Sequence, residues 1–259
     1  MTLKPTSQER QNAIRLMMKT DKAFTVGGLS KKFNVSEMTI HRDLNKLQSK
    51  GHITRTHGGV VPSERMEFEF DFAARRSANQ KAKRAIAKRA VELIRPGSKI
   101  ILDTGTTTLE LAYLLKDFED LTVITPSLAV ASVLQFSAGV HTVLLGGIVR
   151  KGSPDLTGAV TEKVLDMFMV DMVFQGADGI GLNGELFNAD MRMAKIDQKM
   201  RRRAGKTYIL SDSSKIGQTE FASNGMLSEA EALITDCKIT KEQLSELEKT
   251  GTKIIICEI

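Results

Sequence analysis

At the start of the chain, apolar positions fall into three short helical patterns and then a β-prone run. Residues 8–19 carry Ile14, Leu16, Met17 and Met18 at spacings that predict a short amphipathic helix. Residues 25–33, TVGGLSKKF, predict a second helix with Thr25 as its N-cap. After the break Asn34-Val35-Ser36, Ser36 caps a third helix over residues 37–50, where Ile40, Leu44 and Leu47 stand at i, i+4 and i+7 and face a core. Gly51 ends that helix as a C′ glycine. Residues 52–61 are β-prone around Gly58-Gly59 and predict a hairpin.

Three helices and a hairpin outline a winged helix-turn-helix whose recognition helix begins at Ser36. Met38, Thr39, His41, Arg42 and Lys46 then face outward, and Arg55 lies in the hairpin as a further candidate DNA contact. Arg42 and Lys46, four residues apart, reach neighbouring phosphates or base edges from one side of the helix. The competing reading is a small helical cap with ordinary surface charge.

Residues 62–80, PSERMEFEFDFAARRSANQ, change character and read as a linker and entry into a second domain. Residues 80–93 predict a helix, with Ile86, Ala87, Ala90, Val91 and Ile94 as its apolar stripe and Pro96-Gly97 as its stop. Beyond it, strand patterns at 99–102, 122–124, 142–145, 172–175, 207–210, 232–235 and 253–257 alternate with helical patterns at 107–115, 127–136, 161–168, 189–204 and 241–248. Short strands separated by helices predict a parallel, doubly wound α/β sheet. The expected organisation is therefore a DNA-binding domain over residues 1–62, a linker over 63–80 and an α/β effector-binding domain over 81–259.

In such a sheet, ligands sit beyond the carboxyl ends of the strands. The loops expected there are Asp103-Thr104-Gly105-Thr106-Thr107-Thr108, Thr125-Pro-Ser127, Gly146-Gly147 with Arg150 and Lys151, Gly176-Ala-Asp178-Gly179 and Ser211-Asp-Ser-Ser-Lys215-Ile-Gly217. Glycines, hydroxyls and a nearby Lys or Arg suit an oxyanion at a helix start. Asp103 and Asp178 suit sugar hydroxyls better than phosphate, which they repel. The competing reading is that Thr and Gly are common in caps and turns.

Three motifs fail their context. Gly179-Ile-Gly181-Leu-Asn-Gly184 matches GxGxxG, but Asn183-Gly184 signals a turn and no helix pattern follows at once. Gly205-Lys206-Thr207 resembles a P-loop end, yet Met200 stands where its first glycine belongs. Asp103-Thr-Gly-Thr106 spells the surroundings of an aspartic protease carboxylate, but needs a second such loop and an all-β setting. No His/Cys/Asp cluster has metal-ligand spacing, and no cofactor is expected.

Charge adds a partner. The net charge is +6, and residues 1–66 hold 12 Lys and Arg against 5 Asp and Glu, leaving 25 basic and 26 acidic residues beyond. A basic module ahead of a neutral one suits a polyanion. No apolar run has membrane-spanning length, the first residues lack the apolar core of a signal peptide, and two cysteines without a CxxC make a reducing cytoplasm the expected location.

Arg10, Ile14, Met18, Ser36, Thr39, Ile40, His41, Arg42, Asp43 and Leu44 together resemble the helix-turn-helix signature of the DeoR family of bacterial transcription regulators. Arg75, Asn79 and Lys83, the Asp103–Thr107 loop, Gly146-Gly147, Gly176-Ala-Asp178-Gly179 and Asp212-x-Ser214-Lys215-x-Gly217 resemble the landmarks of that family's effector domain. The resemblance implies a fold like that of sugar-phosphate isomerases and CoA transferases, with Thr104–Thr108 and Lys215 on a phosphate and Asp103 and Asp178 on the sugar side. Gly147 and Arg150 complete the candidate effector set.

There are two departures. His41 stands where the family more often has Arg. Met193 and Asp197 flank Ala194 where members usually carry a Glu before the Ala and a Lys three residues after it. In related isomerases that acidic and basic pair lies near the chemistry, so its loss argues against catalysis. The expectation is a non-enzymatic, homo-oligomeric (dimeric or tetrameric) regulator, most often a repressor in that family, that binds operator DNA and a phosphorylated sugar and has no membrane partner. The competing expectations are a sugar-phosphate isomerase or deaminase with a DNA-binding appendage, with Asp178 as its general acid/base, and a nucleic-acid-binding adaptor with an empty pocket.

Overall fold

The computed structural model describes residues 5–18, 21, 23–63 and 72–259. The chain divides into two compact units, Met1–Arg75 and Arg76–Ile259.

In the first unit, α1 (Ser7–Met17) starts at a capping box in which Thr6 and Glu9 satisfy each other's backbone donors. A two-residue strand β1 (Phe24–Thr25) leads into α2 (Val26–Phe33), capped by Thr25. Helix α3 (Glu37–Ser49) is capped by Ser36, and Gly51 beyond it takes φ 71°. Strands β2 (Ile53–Thr56) and β3 (Gly59–Pro62) form the hairpin, with Gly58 at φ 84° in the turn.

Strand β1, which no sequence pattern announced, pairs with β3 and makes a three-stranded antiparallel sheet. The pairing needs Gly59, because a Cβ there would lie 2.6 Å from the Phe24 carbonyl oxygen. Ile14, Met18, Leu29, Ile40, Leu44, Leu47, Ile53 and Val60 share one core. Leu16, expected on the apolar stripe of α1, is 64% exposed instead, because it stands off the face carrying Ile14.

The core also holds an ion pair. Arg10 Nε donates to Asp43 Oδ2 at 2.8 Å, while Gln11 and Ser7 donate to Asp43 Oδ1. Burial pushes the Asp43 carboxyl up, but the hydrogen bonds from Ser7, Arg10 and Gln11 and the Arg10 charge outweigh it and hold the carboxyl below its usual value.

Residues 72–77 are helical (α4) within the segment expected to be linker, and residues 64–71 of that expectation lie outside the described residues. The second unit opens with α5 (Gln80–Val91). It is built on a parallel sheet of seven strands: β4 (Lys99–Leu102), β5 (Leu121–Thr125), β6 (Val140–Leu144), β9 (Val170–Gln175), β12 (Ala204–Leu210), β14 (Ala232–Asp236) and β15 (Lys253–Cys257). These are the seven strand segments of the sequence pattern, in the order β15-β14-β12-β9-β4-β5-β6. Ile100, Ile101 and Leu102 point alternately to opposite faces, and all are fully buried, so both faces of the interior strand β4 are covered.

The connecting helices are α6 (Thr106–Leu114), α7 (Leu128–Leu134), α8 (Ala159–Leu165), α9 (Met191–Arg202) and α10 (Lys241–Glu248). Short antiparallel pieces were not anticipated. They are β7 (Ile148–Val149) with β8 (Leu156–Thr157), and a sheet of β10 (Gly179–Ile180), β11 (Glu185–Asn188) and β13 (Ala222–Met226). Gly205-Lys206-Thr207 lies inside β12, and the GxGxxG segment turns from β10 into β11, so neither forms a phosphate loop ahead of a helix.

Candidate nucleic-acid interface and effector site

On α3 the Ser36 hydroxyl accepts from Thr39 N–H at 3.3 Å and lies 3.0 Å from Thr39 Oγ1, so these two residues fix the start of the helix. Buried Ile40, Asp43, Leu44 and Leu47 leave the opposite face to solvent. That face carries Met38, which is 63% exposed, with His41, Arg42, Asn45 and Lys46 also exposed and Thr39 half-buried. Among the described residues, no hydrogen bond or ion pair holds the Arg42 or Lys46 head group.

Arg55, half-buried on β2, crosses to α3. Its two terminal nitrogens lie 3.2 Å from His41 Nδ1, and one of them donates to Asn45 Oδ1 at 2.9 Å. Asn45 was missed in the sequence, where its only signal is its place four residues after His41.

In the second unit the chain leaves β4 for β5 and β6 on one side, then returns to place β9 on the other. The switch point therefore lies between β4 and β9, where open α/β sheets place their ligands. Asp103 follows β4 and Gly176–Asp178 follow β9. The two loops are tied by Gly176 N–H donating to Asp103 Oδ2 at 3.0 Å.

Asp103 is 3% exposed, and its Oδ1 is buried without a hydrogen-bond partner. Burial, and next the charge of Asp197, push its carboxyl well above the usual range against the backbone N–H groups of Thr104 and Gly176. Asp178 accepts from Ala189 N–H at 3.0 Å and is half-buried. Gly105 is the N-cap of α6 at φ 114° and has no side chain to close the first turn. Thr104 and Thr106 are half-buried and Gly105 is exposed, whereas Thr107 and Thr108 are buried; the Thr108 hydroxyl turns back to the Gly105 carbonyl at 3.1 Å.

Lys215 sits half-buried in a short 3₁₀ turn after β12, next to β9, and no hydrogen bond or ion pair to a described residue holds its amine. Asp212 beside it accepts from Ser214 and from Asn79 Nδ2 at 2.8 Å. Arg150 is engaged elsewhere, donating to Asp155 Oδ2 at 2.6 Å with Asp190 3.8 Å away. Gly147 has a packing reason to be glycine: at φ 137°, a Cβ would meet Thr161 Oγ1 at 2.1 Å and the Thr157 carbonyl at 2.7 Å. Parallel pairing puts the loops after β4, β6, β9 and β12 at one sheet edge; Asp103 and Gly176 tie the first and third, and the Gly217 N–H donating to the Ile180 carbonyl at 2.7 Å ties the segment after β9 to the loop after β12.

Behind the switch point lies a buried polar network that sequence reading did not find. Asn224 Nδ2 donates to Asp197 Oδ2 at 3.1 Å, and Arg201 donates to Gln175 Oε1 at 2.8 Å and to the Asn224 carbonyl. Burial pushes the Asp197 carboxyl up to about 7, against the hydrogen bonds of Asn188 and Gln175 and the Arg201 charge. Met193 is buried in the core with Ile196 and Met200. Among the described residues no helix is long and apolar enough to cross a membrane, no group of His, Cys, Asp and Glu could hold a metal ion, and both cysteines are free.

Residues 10–65 match the model of the DeoR-like helix-turn-helix domain, and residues 78–237 match that of the DeoR C terminal sensor domain. The lactose phosphotransferase system repressor of Streptococcus mutans is 32% identical over 245 residues, 93% of this chain and 96% of its own length. The L-fucose operon activator of Haemophilus influenzae is 31% identical over 208 residues, 80% of this chain and 83% of its own. Among solved structures, ribose 5-phosphate isomerase A from Methanocaldococcus jannaschii is 22% identical, covering 53% of this chain and 55% of its own, with a TM-score of 0.40. At that score the likeness carries no argument about chemistry.

Proposed function

The chain belongs to the DeoR family of transcriptional regulators, and from that premise we propose that it represses a carbohydrate-metabolism operon and lets go of its operator when a phosphorylated sugar binds. Residues 1–62 bind DNA through α3 and the wing, residues 63–80 link, and residues 81–259 hold the effector. The protein works in the cytoplasm as a dimer or tetramer, because operator half-sites are spaced by protein symmetry.

One observation carries the effector reading. A helix start without a side-chain cap follows β4 and an unengaged Lys215 follows β12, at the same edge of the sheet as two carboxylates fixed by backbone donors. The first pair suits a phosphate and the second suits hydroxyl donors. Arg150, already answered by Asp155 and Asp190, contributes less to the phosphate than Lys215 does. The effector binds one arrangement of the oligomer better than the other and so shifts the spacing of the recognition helices. Membership of a family of regulators sets aside the isomerase or deaminase reading, and no catalytic residue is assigned.

The Arg42→Ala variant tests the DNA half. Its fold should be kept and its DNA affinity should fall ~10-fold or more, as loss of a base or phosphate contact entails. Unchanged binding to a duplex enriched by the wild-type chain would refute the assignment of α3.

A further inference from the structure

We propose that His41, Asn45 and Arg55 act as one reading unit that offers DNA chiefly hydrogen-bond donors, and so fits the paired acceptors O6 and N7 of a guanine in the major groove. The inference rests on DNA binding by α3 and goes beyond it to the base that is read.

A guanidinium has N–H groups and no acceptor. Both terminal nitrogens of Arg55 point at His41 Nδ1, each at 3.2 Å, so Nδ1 serves as the acceptor and the ring proton lies on Nε2. Arg55 also donates to Asn45 Oδ1 at 2.9 Å and towards the His41 carbonyl at 3.4 Å. Asn45 Oδ1 is thereby turned towards Arg55 with one of its two lone pairs engaged, and its Nδ2–H groups remain.

Beyond the second lone pair of Asn45 Oδ1, on the atom held by Arg55, what the unit has left is His41 Nε2–H, the Asn45 amide N–H groups and the remaining Arg55 N–H groups, a surface dominated by donors. His41 and Asn45 are exposed on the face of α3 that also carries Arg42 and Lys46. In the major groove guanine shows two adjacent acceptors, whereas adenine and cytosine each show an amino donor that this surface would oppose. Arg55 is a positioning residue as well as a donor, because its fork fixes the ring orientation of His41 and the amide orientation of Asn45. Phosphate oxygens are acceptors too, and the test separates them from a base.

Duplexes are first enriched from a randomised library by the full-length wild-type chain, and affinities are read by fluorescence anisotropy. The enriched half-site should contain a guanine whose replacement by adenine lowers affinity ~10-fold or more, and by 7-deazaguanine ~5-fold or more. In His41→Ala and Arg55→Ala, both checked for wild-type thermal unfolding, that guanine preference should shrink to about 2-fold. The double variant should bind within about 3-fold of the weaker single one, as coupled residues do. Arg55→Lys keeps the charge but not the fork, and should lose the preference as well.

Three results would overturn the inference. They are losses that multiply in the double variant, a guanine preference retained by Arg55→Lys, and a uniform loss on all duplexes with a shallower salt dependence, which marks a phosphate contact. Failure of the wild type to enrich any duplex would overturn the DNA-binding reading itself. Enrichment without guanine dependence would overturn only the donor unit.

Discussion

Replacing Asp43 by alanine should unfold the DNA-binding unit while leaving the α/β unit folded. Asp43 is 1% exposed and Arg10 is 8% exposed, and each is the other's ionic partner at 2.8 Å. Removing the carboxylate strands a buried guanidinium and takes the shared acceptor from Ser7 and Gln11. Breaking a buried ion pair from one side costs about 3–5 kcal/mol, and a unit this small has about 3–5 kcal/mol in all. Asp43→Ala in the full chain should therefore show loss of the first of two unfolding transitions, early proteolysis within residues 1–75 and no DNA binding. The double variant Arg10→Met/Asp43→Leu removes both charges, and should recover most of the stability.

The pH dependence follows from the lowered carboxyl. A carboxyl whose folded pKa lies below its unfolded value of ~3.9 stabilises the fold above that value and ceases to do so as pH falls through the folded one. The wild type should thus lose stability below about pH 4, and the double variant should lose less. An Asp43→Ala protein within about 0.5 kcal/mol of wild type in denaturant melts would refute the reasoning.

Further tests address the α/β unit. Gly147→Ala should destabilise it by about 2 kcal/mol or more, since the new Cβ collides with Thr161 and the Thr157 carbonyl at a left-handed φ; an unchanged calorimetric transition would contradict the packing account. For Asp197 the sign is the reverse of that for Asp43. Its folded pKa of about 7 lies above the unfolded value, so its contribution is full below the unfolded pKa of ~3.9 and is lost as pH rises towards 7. Asp197→Asn should flatten stability across that window and exceed wild type at pH 8 by on the order of 1–3 kcal/mol, and parallel pH profiles would sink the idea. Lys215→Ala should weaken a phosphorylated sugar ~10-fold or more while leaving the thermal transition within a few degrees, as loss of one charge-assisted bond implies. Calorimetric titration in which a non-phosphorylated analogue suffers equally would count against Lys215 as the phosphate partner.

The main sheet was legible because its seven strands are apolar, β-branched runs long enough to stand out, as at Lys99–Leu102 and Lys253–Cys257. Strands β1, β7 and β10 are only two residues long, too short to show alternation, and β1 depends on the space at Gly59. Candidate site residues at loop starts, such as Asp103 and Asp178, could be read from their place after a strand. Asn45, Gln175, Arg201 and Asn224 could not, because their significance lies in tertiary hydrogen bonds between distant segments. Met193 and Asp197 were visible as departures. Only the fold shows that one fills the core and the other anchors a buried polar network.

The central claim joins the two units: a phosphorylated sugar held at the β4/β9 switch point controls the affinity of α3 for DNA. Its direct test is the dissociation constant of the full-length protein for an enriched duplex, measured by fluorescence anisotropy across a panel of sugar phosphates and their unphosphorylated counterparts. At least one sugar phosphate should weaken binding ~10-fold or more, within the range of ordinary allosteric coupling, and its unphosphorylated counterpart should not. A dissociation constant that stays flat across the whole panel, with tight DNA binding intact, would contradict the account.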